Sequence, residues 1–203
     1  MSATPESKQP PQQLRMVWPK ERLGSPPDFS LPDEYTLRTF RLGDEAEHVR
    51  LMRVAGFSDW SPEKLAAAIE KCLPDGFFVI EHNPSDPFDR LRAGRLVATA
   101  MAQHQPLPEH PCGGELSWVA GDPEHKGKGL GYAVCAAVTR RFLEIGYRNI
   151  YLRTDDFRPP AIKLYLKLGY VPFLFAPDME RHWRDVCAGL GVDFEQTRSV
   201  RAP

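Results

Sequence analysis

The residues best suited to chemistry in this chain lie between Trp118 and Gly131. Lys126 precedes Gly127, Gly129 and Gly131, with Lys128 and Leu130 between the glycines. Upstream, strand-period alternation sets Leu116, Trp118 and Ala120 against Glu115, Ser117 and Val119, and it stops at Gly121-Asp122-Pro123. Downstream, a helical pattern runs from Leu130 to Tyr147. A strand, a basic glycine loop and a helix start together make an anion site. Glycines let backbone N–H groups converge, the first helical turn leaves its donors unpaired, and the helix dipole favours negative charge. The ligand implied is one that carries phosphate.

Several loops of this kind exist, and spacing separates them. Gly127-Lys128 is followed by Gly129, so the Gly-Lys-Ser/Thr ending of a P-loop is missing. Gly127-x-Gly129-x-Gly131 is one residue short of the Gly-x-Gly-x-x-Gly dinucleotide fingerprint. Lys126-x-x-Gly129-x-Gly131 resembles the Arg/Gln-x-x-Gly-x-Gly/Ala loop of the GNAT N-acetyltransferase family, which cradles the pyrophosphate of acyl-CoA. Lys126 stands where that family has Arg or Gln, keeping the charge and losing the planar fork. A second stretch resembles the same family: Ala161, Ile162, Leu164, Tyr165, Lys167, Leu168, Gly169 and Tyr170 follow its Ala-Ile-x-Leu-Tyr-x-Lys-Leu-Gly-Phe helix in order. Arg158 occupies the position where the family has Asn. The resemblance covers Gly114 to about Phe173 closely and Leu31 to Pro106 by pattern only.

The resemblance implies a fold and a reaction. The fold is a mixed α/β (α+β) acyl-CoA N-acyltransferase fold, a central sheet of six to seven strands flanked by helices, parting beyond the strand that carries Trp118. The reaction is transfer of acetyl from acetyl-CoA, with no metal, to the amine of a small molecule or peptide. Trp118, Val119 and Ala120 would pair with the pantetheine, and a donor near Val119 would polarise the thioester carbonyl. Lys126, Gly127, Lys128, Gly129, Leu130 and Gly131 would take the pyrophosphate. Tyr165 is the implied acid for the departing thiolate, since an ordinary phenol stays protonated at pH 7, a core residue on the stripe of Ala161, Leu164 and Leu168 being the plain alternative. Glu115 is the implied base, a solvated strand glutamate being the plain alternative. Asp155 and Asp156 would meet a cationic acceptor, Arg158 an anionic one or a CoA phosphate. His104 and His125 read as incidental loop histidines. Two other classes stay open: a non-catalytic acyl-CoA-binding or sensor module on the same scaffold, and a nucleotide-binding α/β protein that uses the loop differently.

The elements that must position these residues follow from pattern. Met1 to Ser30, rich in Pro, Gln and Ser, reads as a mobile leader, followed by one domain over 31–176 and a C-terminal helix and tail over 177–203. Strands are expected at Glu34–Leu42, Phe77–Glu81 and Arg95–Ala102. A helix after Gly43-Asp44 would turn Val49, Met52 and Val54 inward. A second helix is expected from Ser61, with Ser at the N-cap and Pro62 at N1. The polar stretch 82–94 reads as a long, disordered hairpin insertion. The C-terminal helix, with Met179, Trp183, Cys187 and Leu190 at helical spacing, would cover the sheet, line the acceptor pocket or sit in a homodimer interface.

Composition narrows the setting. The chain has 203 residues, 42% of them hydrophobic and 26% charged, enough for a core. A formal net charge of −1 gives no bulk attraction to nucleic acid or membrane surfaces. No apolar run is long enough to span a bilayer, and no signal-peptide h-region is visible. The four cysteines are scattered, which fits reduced thiols and a cytoplasmic protein.

Overall fold

Strands and helices alternate along the chain because hydrophobic period switches between two and about 3.6 from one segment to the next. The computed structural model describes residues 13–84 and 94–202. Its strands are β1 (Leu14–Val17), β2 (Tyr35–Thr39), β3 (Cys72–His82), β4 (Arg95–His104), β5 (Gly114–Gly121), β6 (Ile150–Thr154), β7 (Val171–Leu174) and β8 (Val200–Arg201). Its α-helices are α1 (Glu45–Val54), α2 (Pro62–Glu70), α3 (Leu130–Glu144), α4 (Pro159–Leu168) and α5 (Met179–Leu190). One eight-stranded sheet has the order β2-β3-β4-β5-β6-β1-β7-β8. The expected mixed α/β architecture is present, with one more strand than the largest number expected.

The additional strands are short. β8 pairs with β7 through Phe173 and Leu174. β1 lies inside the sheet, antiparallel to β6 on one side and to β7 on the other. The expectation of a mobile leader through residue 30 therefore fails for residues 14 onward. Leu14 and Met16 are fully buried, and Arg22 donates to the Leu168 carbonyl at the end of α4. A strand of four residues is too short to show a period, so proline content dominated the reading. Residues 1–12 and most of the expected hairpin insertion lie outside the described residues.

Helix starts follow local chemistry. Ser61 caps α2 by accepting from the Lys64 N–H, and Pro62 follows it. At α1 the capping position holds Asp44, whose carboxylate instead takes two bonds from Arg38 at 2.6 and 2.9 Å and one from the Arg41 N–H. This ties α1 to the β2–β3 edge. Val49 and Met52 point inward as expected, but Val54 is 45% exposed. The helix buries His48, Val49, Leu51 and Met52 instead.

Two cores flank the sheet. α3, α4 and α5 cover one face with Val134, Val138, Ile162 and Trp183 over Ile80, Ala98 and Leu116. α5 is thus a packing helix, burying Met179, Trp183, Cys187 and Leu190. α1 and α2 cover the other face with Leu51, Met52 and Leu65 over Val79, Leu96 and Met101.

His48 sits in the second core, fully buried among Phe40, Trp60 and Phe77, and neither ring nitrogen has a hydrogen-bond partner. Burial holds its pKa down at about 4, against a smaller opposing pull from Asp44. As pH falls below about 6.5 the unfolded chain takes up this proton and the folded chain does not, so stability is lost from there down to about pH 4. The expected loss is about 3 kcal/mol across that window. Denaturant unfolding at pH 7 and pH 4.5 should show this fall in the wild type and a smaller one in His48→Leu.

Candidate active site

β5 and β6 run parallel but share only the pairs Gly114↔Ile150 and Glu115↔Tyr151. From Leu116 onward the edge of β5 that faces β6 has no strand partner among the described residues. The opening is a cleft of about 660 Å³. Phe57, Trp60 and α2 wall one side of it, and Ala161 and Tyr165 of α4 wall the other.

Within the cleft β5 departs from plain alternation. Thr99 pairs with Ala120 and Met101 with Ser117, so two residues of β5 oppose Ala100 alone. This is a β-bulge, and Trp118 adopts the left-handed region at φ 52°. A bulky residue there costs roughly 1–3 kcal/mol. Its indole packs on Trp60 at 4.4 Å between centroids and on Phe57 at 6.2 Å, which offsets that cost. The bulge also swaps faces. Leu116 belongs to the α3 core and Ala120 to the α1/α2 core, while Val119 packs on the α3 side. The expected grouping of Leu116 with Trp118 and Ala120, and of Val119 with Glu115 and Ser117, is therefore overturned.

The glycine loop follows directly. Asp122 closes β5: one carboxylate oxygen accepts the Glu124 N–H, and the other pairs with Arg50 of α1 at 3.1 Å. After a turn over Pro123–His125, Gly127 and Gly129 take φ 85° and 78°, where a side chain would be strained. α3 then starts at Leu130, and the Ala133 N–H bonds to Gly129. The N–H groups of Leu130, Gly131 and Tyr132 precede that bond and have no intrahelical partner. Gly131 packs closely on α4, since a Cβ there would stand 3.0 Å from Leu164 Cδ1 and crowd that side chain. Lys126 and Lys128 are exposed.

His125 is not incidental. Its Nδ1 is 2.9 Å from the Tyr35 hydroxyl, and its ring meets His82 at 4.7 Å, so the loop is anchored to β2 and β3. Burial, aided by His82, lowers its pKa. The Lys128 ammonium lies 5.4 Å above the Tyr35 ring. His104 bonds to the Tyr147 hydroxyl, away from the cleft.

The titratable groups of the cleft are mostly paired. Glu115 is buried and accepts from Arg153 Nε at 2.7 Å and from the second guanidinium nitrogen at 3.0 Å. Arg158 pairs with Asp155 at 3.3 Å and lies over the Phe57 ring at 4.9 Å, bridging the cleft mouth. Asp156 turns away and meets His182 of α5. Tyr165 is nearly buried, and its hydroxyl has no protein hydrogen-bond partner among the described residues. Burial raises its pKa well above the usual phenol value, so the proton is present at any physiological pH. No group of His, Cys, Asp or Glu among the described residues could hold a metal ion.

An unpaired strand edge and a protonated phenol share this cleft, and a glycine loop with a helix start follows at the end of β5. The model of the acetyltransferase (GNAT) family matches residues 46–170, and the chain belongs to that family. Its relatives include the mycothiol acetyltransferase of Saccharomonospora viridis, 30% identical over 75% of this chain and 48% of that protein. Another is the mycothiol acetyltransferase of Arthrobacter sp., 29% identical over 77% of this chain and 50% of that protein. The chain spans about half the length of these relatives. Among solved structures, a GCN5-related N-acetyltransferase from Sphaerobacter thermophilus superposes with a TM-score of 0.57 at 20% identity, covering 79% of this chain and 49% of that one. The ribosomal-protein-S18-alanine N-acetyltransferase of Escherichia coli gives 0.52 at 22% identity over 66% and 76%.

Sequence reasoning missed Phe57, Trp60, Lys71 and Gln103, which lie far from the two motifs, and Arg153, which lies just before the second. Gln103 had a visible signal, a polar residue at the end of an apolar strand. The loop geometry yields a test. Gly129→Val places a β-branched residue at φ 78°. Calorimetry should show acetyl-CoA affinity falling at least tenfold in that variant, with the fold retained by circular dichroism. Affinity equal to wild type would remove the loop from the cofactor site.

Proposed function

We propose that the chain is an N-acetyltransferase that moves acetyl from acetyl-CoA directly to a primary amine. The observation that carries this reading is the placement of the Tyr165 phenol and the unpaired β5 edge in one cleft, with the glycine loop at the end of β5. The pyrophosphate rests on the amides of Lys126 to Gly131, with Lys126 and Lys128 adding charge. The pantetheine lies along Trp118 to Ala120, and a backbone donor near Val119 receives the thioester oxygen as it becomes anionic. The amine nitrogen attacks the carbonyl carbon. The C–N bond forms, the C–S bond breaks, and Tyr165 gives its proton to the departing sulfur.

The amine must also lose a proton. Glu115 is the carboxylate in place to receive it, through a water that shares an oxygen with the Arg153 guanidinium. Arg153 thereby fixes the orientation of the carboxylate. In this reading a small-molecule amine is the preferred acceptor, ahead of a peptide amine, a preference supported by the similarity to mycothiol acetyltransferases. A cytoplasmic setting is in keeping with the unpaired cysteines. No helix among the described residues is long and apolar enough to cross a membrane.

The reading is tested by CoA release from acetyl-CoA with a panel of amines: desacetyl-mycothiol, an alanine-terminated peptide, amino acids and aminosugars. Tyr165→Phe should lower turnover by about 10²-fold with acetyl-CoA affinity changed less than threefold. Turnover equal to wild type would remove Tyr165 from the proton path. Tight acetyl-CoA binding without transfer to any amine would instead identify a binding module.

Glu115→Gln separates the two uses of that carboxylate. Loss of the base should cut kcat about tenfold or more. A change confined to the acceptor KM would mark Glu115 as a wall of the pocket that holds Arg153.

A further inference from the structure

A short hydrogen-bond chain crosses the acceptor side of the cleft, and its direction is fixed by chemistry. Gln103, 4% exposed, places Nε2 at 2.6 Å from the Ala68 carbonyl near the end of α2. A carbonyl can only accept, so the amide nitrogen of Gln103 must face Ala68 and its oxygen must face the other way. That oxygen lies 2.7 Å from Ser117 Oγ. Because Gln103 Oε1 also only accepts, Ser117 must donate. Its second neighbour, the Met101 carbonyl at 3.5 Å, is an acceptor as well. The single hydroxyl proton is therefore committed inside the protein whichever partner it chooses.

Ser117 lines the cleft next to Trp118 and Val119, and the bulge keeps it on the α1/α2 side. What it presents to the cleft is lone pairs alone. A group that meets them must bring an N–H or O–H donor. We infer that Ser117 orients the acceptor, taking one N–H of the incoming amine so that the nitrogen lone pair faces the thioester carbon, and that this selects primary over secondary amines. The inference rests on the N-acetyltransferase reading above.

The selectivity follows from proton counting. A neutral primary amine has two N–H bonds: one is held by Ser117, and the other departs as the amide forms. A neutral secondary amine has one, which cannot be held on Ser117 and also be released. Gln103 has a different part. It does not face the reaction; it locks the Ser117 proton inward and is a positioning residue.

The test compares wild type, Ser117→Ala, Ser117→Thr and Gln103→Leu with desacetyl-mycothiol and an alanine-terminated peptide, each beside its N-methyl counterpart. Acetyl-CoA affinity by calorimetry reports that the donor site is intact. Ser117→Ala should lower kcat/KM for the primary amine about tenfold, through the acceptor KM, with acetyl-CoA affinity within twofold of wild type. It should also shrink the preference for the primary amine over its N-methyl counterpart. Ser117→Thr should restore both. Gln103→Leu should show part of the same loss although Ser117 is still present, because the hydroxyl then keeps only the Met101 carbonyl at 3.5 Å as a protein acceptor and can turn its proton into the cleft. A Ser117→Ala variant matching wild type in kcat/KM and in preference overturns this inference alone. Wild-type protein that binds acetyl-CoA and acetylates neither amine overturns the N-acetyltransferase reading, and the Ser117 role with it.

Discussion

The parting of β5 from β6 is the constraint on which the rest of the molecule depends. Two parallel strands that share only two residue pairs leave a run of backbone donors and acceptors without partners inside a folded domain. Such groups cost roughly 1–3 kcal/mol each when they stay unsatisfied and buried. The chain keeps the two strands apart by putting bulk at the seam: Trp60 and Trp118 from one side, Tyr165 from the other. The unpaired edge is therefore held open for a ligand that can complete the sheet, and the helix start at Leu130 lies at the far end of the same edge.

The cleft also lies where β5 passes from one core to the other. Leu116 packs under α3, and Ala120 packs under α1 and α2. The bulge at Trp118 makes that crossing possible within a single strand. The bulge shifts the alternation by one residue, so Leu116 and Val119 share the α3 face while Ala120 takes the other. Arg50 fastens the end of this strand to α1 through Asp122 and to β4 through the Leu96 carbonyl at 2.7 Å. The reactive segment is thus clamped at both ends while its middle stays free.

What the sequence disclosed and what it hid have physical reasons. The loop over Lys126 to Gly131 and the helix over Ala161 to Gly169 were legible because their chemistry is local: glycine at positive φ, and a helix ended by a glycine cap. The mixed sheet and the inward stripe of α5 were legible from period. β1 was not, because a four-residue strand makes its case through partners more than a hundred residues away. The face swap at Trp118 was hidden for a related reason, since strict alternation and a bulge look alike until the register of β4 is known. Pairing concealed the rest. Glu115 reads as a free carboxylate until Arg153 is placed beside it, and His125 reads as a loop histidine until Tyr35 and His82 close over it.

β1 carries a consequence for how the molecule comes into being. It is wedged between β6 and β7, so the first strand of the chain can take its place only after residues 150–174 exist. During synthesis the ribosome releases Leu14 and Met16 long before their neighbours, and these apolar side chains must wait exposed. Contacts of such sequence separation are slow to form, because loop closure has to be met before they repay it. The half of the sheet beyond β6 is therefore a late-assembling flank. Factors that hold nascent chains have a defined segment to guard, and the protein's yield in the cell is tied to that wait as much as to its final stability.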